Sequence, residues 1–221
     1  MLQLEPYTHA LSHWPPTGQH ILAQFDADTI VVYQAYNPAI AEAAVADQRF
    51  GGGGFSLGRM SWIKPNFLWM MYRCGWATKP NQERVLAIRL RRTTFDALLR
   101  QTVASSFSAS GLPDEGAWRD AVAASDVRLQ WDPDHAPGGR AEARRAIQLG
   151  VRKDMLRQFA YEWPVRIEDI TPFVLEQGAR VGSAELMVPV ERVLPLAPDI
   201  AAHIQAAQIG AAPQQLERRD A

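Results

Sequence analysis

"RMSWIKPNFLWMMYRCGW", residues 59–76, is the stretch on which the reading of this chain turns. Trp62, Trp69 and Trp76 stand in it at seven-residue intervals, Arg59, Lys64 and Arg73 are threaded among them, and no carboxylate occurs in the window. Residues 59–64 read as extended chain. Pro65 then reads as the first position of a short helix, "PNFLWMMYRC", that Gly75 stops. A cation just before a helix start opposes the macrodipole by up to roughly 1 kcal/mol. An ammonium and free backbone N–H groups at one point suit a phosphate or carboxylate, and Ser61 and Asn66 can add hydrogen bonds. The competing reading is a lysine that snorkels to water. Arg73 lies four residues after Trp69, on the same helical face. It needs either a structural partner, Glu83 or Asp132, or a ligand, because an unpaired buried charge is costly. The tryptophans fit a core as well as a stacking shelf, and Trp62 stands nearest the cations.

On the N-terminal side, "DTIVVYQAY" (28–36) is a β-branched run that reads as a buried strand. Asn37 caps and Pro38 opens a helix running to about Phe50, and "GGGG" (51–54) reads as a flexible loop. On the C-terminal side, "ERVLAIRLRR" (83–92) reads as a strand, and Thr93 or Thr94 caps a following helix. "SASGLPDEGA" (108–117) reads as a loop. "DVRLQWDP" (126–133) and "RRAIQLGV" (144–151) read as strands, "KDMLRQFAYEW" as a helix, "RIEDI" as a brief extension, and Thr171–Pro172 opens one more helix. Strands and helices interleave without regular βα units, which points to α+β with a mixed or antiparallel sheet. The segmentation is a loosely attached extension over 1–28, a single domain over 29–200, and a flexible tail over 201–221.

Bulk composition narrows the classes. Hydrophobic residues at 47 % of 221 exclude wholesale disorder. A net charge of −1 gives no global attraction to nucleic acid or membrane, so such a partner needs a local basic patch. Cys74 is the only cysteine and reads as a small buried hydrophobe. His9, His13 and His20 fit no single face, so no metal is expected. The first residues lack the pattern of a secretory signal and no run is long enough to span a bilayer, so a cytoplasmic protein is expected. No Ser-His-Asp or Cys-His arrangement is visible, nor any convincingly spaced carboxylate pair.

The series "VVYQAY", "RMSWIKPNFLWMMYR-GWA-K---QERVLAI", "VR-QWDP" and "R-IQLG", between about Thr29 and Pro172, resembles an uncharacterised family, domain of unknown function 4291. That resemblance implies a shared fold and brings no activity with it. In its order of strands and helices the chain is also similar to the ADP-ribosyltransferase superfamily. There a split mixed sheet with flanking helices clamps NAD, and a late-strand Glu or Gln contacts the nicotinamide ribose. Carried over, this puts Gln34 or Tyr36 on the first strand, Ser61 to Lys64 on the second, and Gln148 on the late one. The expected site is therefore Gln148 as the catalytic contact, with Gln34, Tyr36, Arg59, Ser61, Trp62, Lys64 and Arg73 around NAD. The expected function is an NAD-dependent ADP-ribosyltransferase-like enzyme, with nucleic acid as the acceptor. The alternative is a non-catalytic nucleotide or nucleic-acid binding module.

Overall fold

In the computed structural model, which describes residues 2–207, the two longest strands of the first half pair with each other. Strand β4 (Thr29–Tyr36) and strand β6 (Arg84–Arg91) run antiparallel from Thr29↔Arg91 to Tyr36↔Arg84, and β10 (Pro164–Asp169) adds to the far edge of β6. Both faces of β4 are covered. Ile30 and Val32 enter one hydrophobic cluster, Val31 and Tyr33 another, which is why the run is continuously apolar rather than alternating. Each such fully buried side chain contributes about 1.5–3 kcal/mol of transfer free energy.

A second, mixed sheet is built on β9 (Ala141–Val151), whose long antiparallel partner is β8 (Val127–His135). β2 (Gly18–Gln19) pairs parallel with β9, β7 (Thr102–Ala104) parallel with β8, and β5 (Ser61–Ile63) antiparallel with Leu149–Val151. One residue beyond β5 the chain changes partner. Lys64 exchanges two backbone hydrogen bonds with Tyr33 of β4, at 2.7 and 3.2 Å. That bridge ties the two sheets together where they diverge, so the expected α+β class with mixed and antiparallel pairing is observed.

Helices α2 (Pro38–Asp47), α4 (Arg92–Arg100) and α6 (Lys153–Tyr161) contribute to the cluster between the sheets, through Ala41, Phe95 and Phe159. Helices α3 (Phe67–Cys74) and α7 (Thr171–Gly178) cover the other face of β4 and β6, where Cys74 is buried beside Phe67 and Val174. Asn37 caps α2 through Ile40 N, and Gly75 ends α3 at φ +59°, both as the sequence predicts.

Other expectations are corrected. Helix α3 begins at Phe67, after Asn66 as cap, rather than at Pro65. No side chain caps α4, which starts at Arg92. The stretch read as a loop through residue 117 contains the start of α5 (Glu115–Ala124), capped by Asp114. The glycine run is a packed turn: at Gly53 (φ +62°) a Cβ would lie 2.1 Å from the Ala39 carbonyl oxygen.

The first 28 residues are integrated into the fold rather than loosely attached. β1 (Leu4–Pro6) is followed by α1 (Tyr7–Leu11) and pairs with β11 (Met187–Pro189), while β3 (Leu22–Ala23) pairs with β12 (Arg192–Val193). Trp14 is buried, and its Nε1 donates to the Glu191 carbonyl at 3.0 Å. Of the expected tail, residues 201–207 lie in and just after α8 (Pro198–His203), where Ala201 and Ile204 are buried. The remainder of the tail lies outside the described residues.

Candidate functional site

The divergence of the sheets at Lys64 leaves a cavity of about 630 Å³. All eight residues singled out in the sequence line it: Gln34, Tyr36, Arg59, Ser61, Trp62, Lys64, Arg73 and Gln148. They come from β4, β5 and the residues flanking it, α3 and β9. Their convergence follows from strand alternation on β4 and β9 and from the Lys64–Tyr33 bridge. Trp62 stands opposite Gly150 of β9, where a Cβ would lie 2.5 Å from Met60 Sδ. Glycine is therefore what lets Met60 and Trp62 lie flat across β9.

Three polar residues form a closed ring in one wall. Gln34 Nε2 donates to Ser61 Oγ at 2.7 Å and to the Trp62 carbonyl at 3.2 Å. The Tyr36 hydroxyl donates to Gln34 Oε1 at 2.7 Å, and the Ser61 and Tyr36 hydroxyls are 3.1 Å apart. Burial pushes the Tyr36 phenol well above its ordinary value, so it stays protonated.

The cations are placed differently from one another. Lys64 is 4 % exposed, and its Nζ has only the Trp62 carbonyl within reach, at 3.4 Å. Burial, reinforced by the charge of Arg73 and opposed by Asp132, lowers its pKa to about 8. Arg59 and Arg73 are exposed at the cavity wall, and among the described residues neither pairs with a carboxylate. The partners proposed for Arg73 are engaged elsewhere: Glu83 accepts from Asn81 N, and Asp132 from two glutamines. The lining contains no carboxylate at all, although the chain carries 24 acidic residues.

The N-terminus of α3 is not open to a ligand as the sequence suggested. Phe67 N donates to Glu191 Oε1 at 2.7 Å and Trp69 N to Asn66 Oδ1 at 2.6 Å. Glu191, 1 % exposed, supplies the acceptor for the helix end, and burial raises its pKa well above its ordinary value, favouring the protonated form. The anion-binding capacity of the cavity therefore rests on side chains.

Gln148 faces Gln130 across the β8–β9 ladder, and both amides donate to one carboxylate: Gln148 Nε2 to Asp132 Oδ2 and Gln130 Nε2 to Asp132 Oδ1, each at 2.7 Å. An acceptor-only carboxylate fixes both amide orientations and leaves Gln148 Oε1 without a protein donor among the described residues. Gln130 and Phe55, the last stacked on Phe50 at 5.1 Å, were not singled out in the sequence, and Asp132 entered it only as a partner for Arg73. For Asp132 and Gln130 the signal was present, since they alternate along "QWDP"; Phe55 follows the glycine turn without any pattern. Of the other tryptophans, Trp69 is buried in a stack with Tyr72 and His135, and Trp76 packs on Phe67. No group of three or more His, Cys, Asp or Glu among the described residues is arranged to hold a metal. No helix there is long and apolar enough to cross a membrane.

The architecture is thus an α+β domain whose two sheets part around a cation-lined, carboxylate-free cavity. The family model described as Domain of unknown function (DUF4291) matches residues 20–195, and the chain belongs to that family. No curated protein matches it.

Proposed function

We propose that this cavity binds NAD and that the protein is an ADP-ribosyltransferase-like enzyme. The observation that carries the reading is the pairing of a buried Lys64, whose Nζ meets a carbonyl but no carboxylate among the described residues, with exposed Arg73, likewise without an ion pair there, in a lining without carboxylates. Such an arrangement favours a pyrophosphate over any neutral or cationic ligand. The volume lies within the range of small-molecule sites. The residues fit the dinucleotide: Lys64 with Arg73 or Arg59 would hold its phosphates, and Gln148 Oε1 would accept from a ribose hydroxyl. Bound NAD supplies an activated N-glycosidic bond, whose electron pair leaves with nicotinamide while the acceptor bonds to the ribose carbon and releases a proton.

The protein's own part is positional. The Lys64 and Arg73 charges hold the phosphates still, and Asp132 holds Gln148 with its oxygen free for the ribose. Contacts that tighten as the glycosidic bond opens raise turnover rather than mere affinity. The test is thermal melting with NAD, followed by nicotinamide release with protein and nucleic-acid acceptors, in wild type and Gln148→Ala. NAD at a hundredfold over its dissociation constant stabilises by about 2.7 kcal/mol, a rise of roughly 5–10 °C for a chain of this size. Gln148→Ala is expected to melt within a few degrees of wild type and to release nicotinamide at least tenfold more slowly. A wild type that neither binds nor consumes NAD removes the reading.

The carboxylate-free lining also favours a second reading, a nucleotide-binding module without catalysis. NAD binding without nicotinamide release, whatever acceptor is offered, selects it.

A further inference from the structure

We infer that a second cavity, reached around the edge of β8, binds one nucleotide of single-stranded nucleic acid and so tethers the strand that supplies the acceptor. The inference rests on the NAD reading for the acceptor role, though not for the binding itself. The second cavity measures about 500 Å³, and Gln130 lines both it and the first. Strand β7 pairs with β8 only from Val127 to Leu129, so the edge of β8 is open from Gln130 onward. There Gln130 reaches past the end of β7 to Ser105, whose Oγ donates to Gln130 Oε1 at 3.4 Å. The same Gln130 is clasped through Asp132 to Gln148. One hydrogen-bonded chain thus runs from the second cavity to the residue expected at the ribose.

The chemistry of the second lining is that of a nucleotide site. It too has no carboxylate. Arg145 is exposed there, and among the described residues it has no ion pair and no side-chain hydrogen bond. The hydroxyls of Ser105, Ser106 and Ser110 surround an apolar floor of Leu129 and Trp131. One arginine with hydroxyls matches one phosphodiester, and the floor matches the face of one base. An acidic peptide, which brings several carboxylates, would need more cations than this lining offers.

Arg145 projects from the sheet face that carries Trp131, and Gln148 from the face that carries Gln130, so the two cavities can be altered separately. The experiment measures binding of fluorescently labelled ten-nucleotide RNA and DNA single strands by anisotropy, and of NAD by calorimetry. The full chain is used as wild type, Arg145→Glu, Arg145→Gln and Lys64→Met. The expected result is that Arg145→Glu weakens oligonucleotide binding at least tenfold and Arg145→Gln by less. NAD affinity should stay within twofold in both, and the salt dependence should fall by about one phosphate contact. Lys64→Met should do the reverse, losing NAD and keeping the oligonucleotide. The RNA and DNA arms show which sugar the site prefers. An unchanged oligonucleotide affinity in Arg145→Glu, binding of neither strand by wild type, or displacement of the strand by an acidic peptide overturns the inference. Arg145-dependent strand binding by a protein that ignores NAD leaves the second cavity standing and removes only the NAD reading.

Discussion

Lys64 offers the sharpest perturbation, because it should weaken the protein and serve its ligand at once. Its ammonium is 4 % exposed, sees one carbonyl at 3.4 Å, and has its pKa lowered to about 8 from the 10.5 of a free lysine. The gap corresponds to about 3 kcal/mol, by which the folded state disfavours the charged form relative to the unfolded chain. The sign follows from proton counting. Between pH 8 and 10.5 the unfolded chain holds the proton and the folded chain does not, so stability rises with pH across that window. Below pH 8 both states are charged and the full penalty applies.

Lys64→Met keeps the length and apolar stem of the side chain and removes the charge. At pH 7 the variant should therefore be more stable than wild type by up to about 3 kcal/mol, a rise of roughly 6–12 °C in melting temperature. The advantage should shrink to about 1 kcal/mol by pH 10, as wild-type Lys64 loses its proton. Paired urea titrations from pH 6 to pH 10 measure the difference directly and cancel every other titrating group. A variant no more stable than wild type at pH 7, or a difference that stays flat with pH, refutes the account of Lys64 as a buried charge awaiting a counter-ion.

Arg73→Ala removes an exposed guanidinium with no ion pair, so melting should move by no more than about 0.5 kcal/mol. NAD affinity should meanwhile fall roughly tenfold or more by calorimetry. Glu191→Gln keeps the acceptor for Phe67 N–H and removes a carboxyl whose folded pKa is raised. For a raised carboxyl the unfolded chain gives up its proton first, so wild type should lose stability relative to the variant as pH climbs above the ordinary carboxylate value, as paired thermal melts from acid towards neutral pH would show. Gly53→Ala forces a Cβ to within 2.1 Å of the Ala39 oxygen at a positive φ, and should cost about 1–3 kcal/mol in denaturant midpoints while leaving Arg145-dependent strand binding intact.

What was legible in the sequence divides along physical lines. β4, β6, β8, β9 and α6 declare themselves through patterns contained in eight to eleven consecutive residues. β1, β2 and β3 are two or three residues long, and their partners lie more than a hundred positions away, so nothing local marks them as strands. The same distance hid Glu191, which closes the helix end that looked open from residues 64–67 alone. The cavity was better exposed to reading. Three cations without a neighbouring carboxylate, Ser61 and Trp62 beside them, and a lone polar Gln148 between apolar strand residues are local signals, while Gln34 and Tyr36 came only from the resemblance; all eight line one cavity. Asp132 alternates with Gln130 along its own strand, but its hold on Gln148 crosses a strand pair, and no single segment reveals that contact.

The ring of Gln34, Ser61 and Tyr36 has a handedness. Gln34 Nε2 can only give a hydrogen and Gln34 Oε1 can only take one, so Tyr36 must point its hydrogen at Gln34, and Ser61 must point its own at Tyr36. Neither hydroxyl has a hydrogen left for a guest. What that wall presents is lone pairs, and positive charge stands directly beside it, because Lys64 Nζ and Gln34 Nε2 share the Trp62 carbonyl as acceptor. A guest that satisfies both must bring an N–H or O–H to the ring and an anionic group close by, and a bare oxygen set against the ring meets oxygen. That wall is keyed by the order in which three side chains pass their hydrogens round a ring.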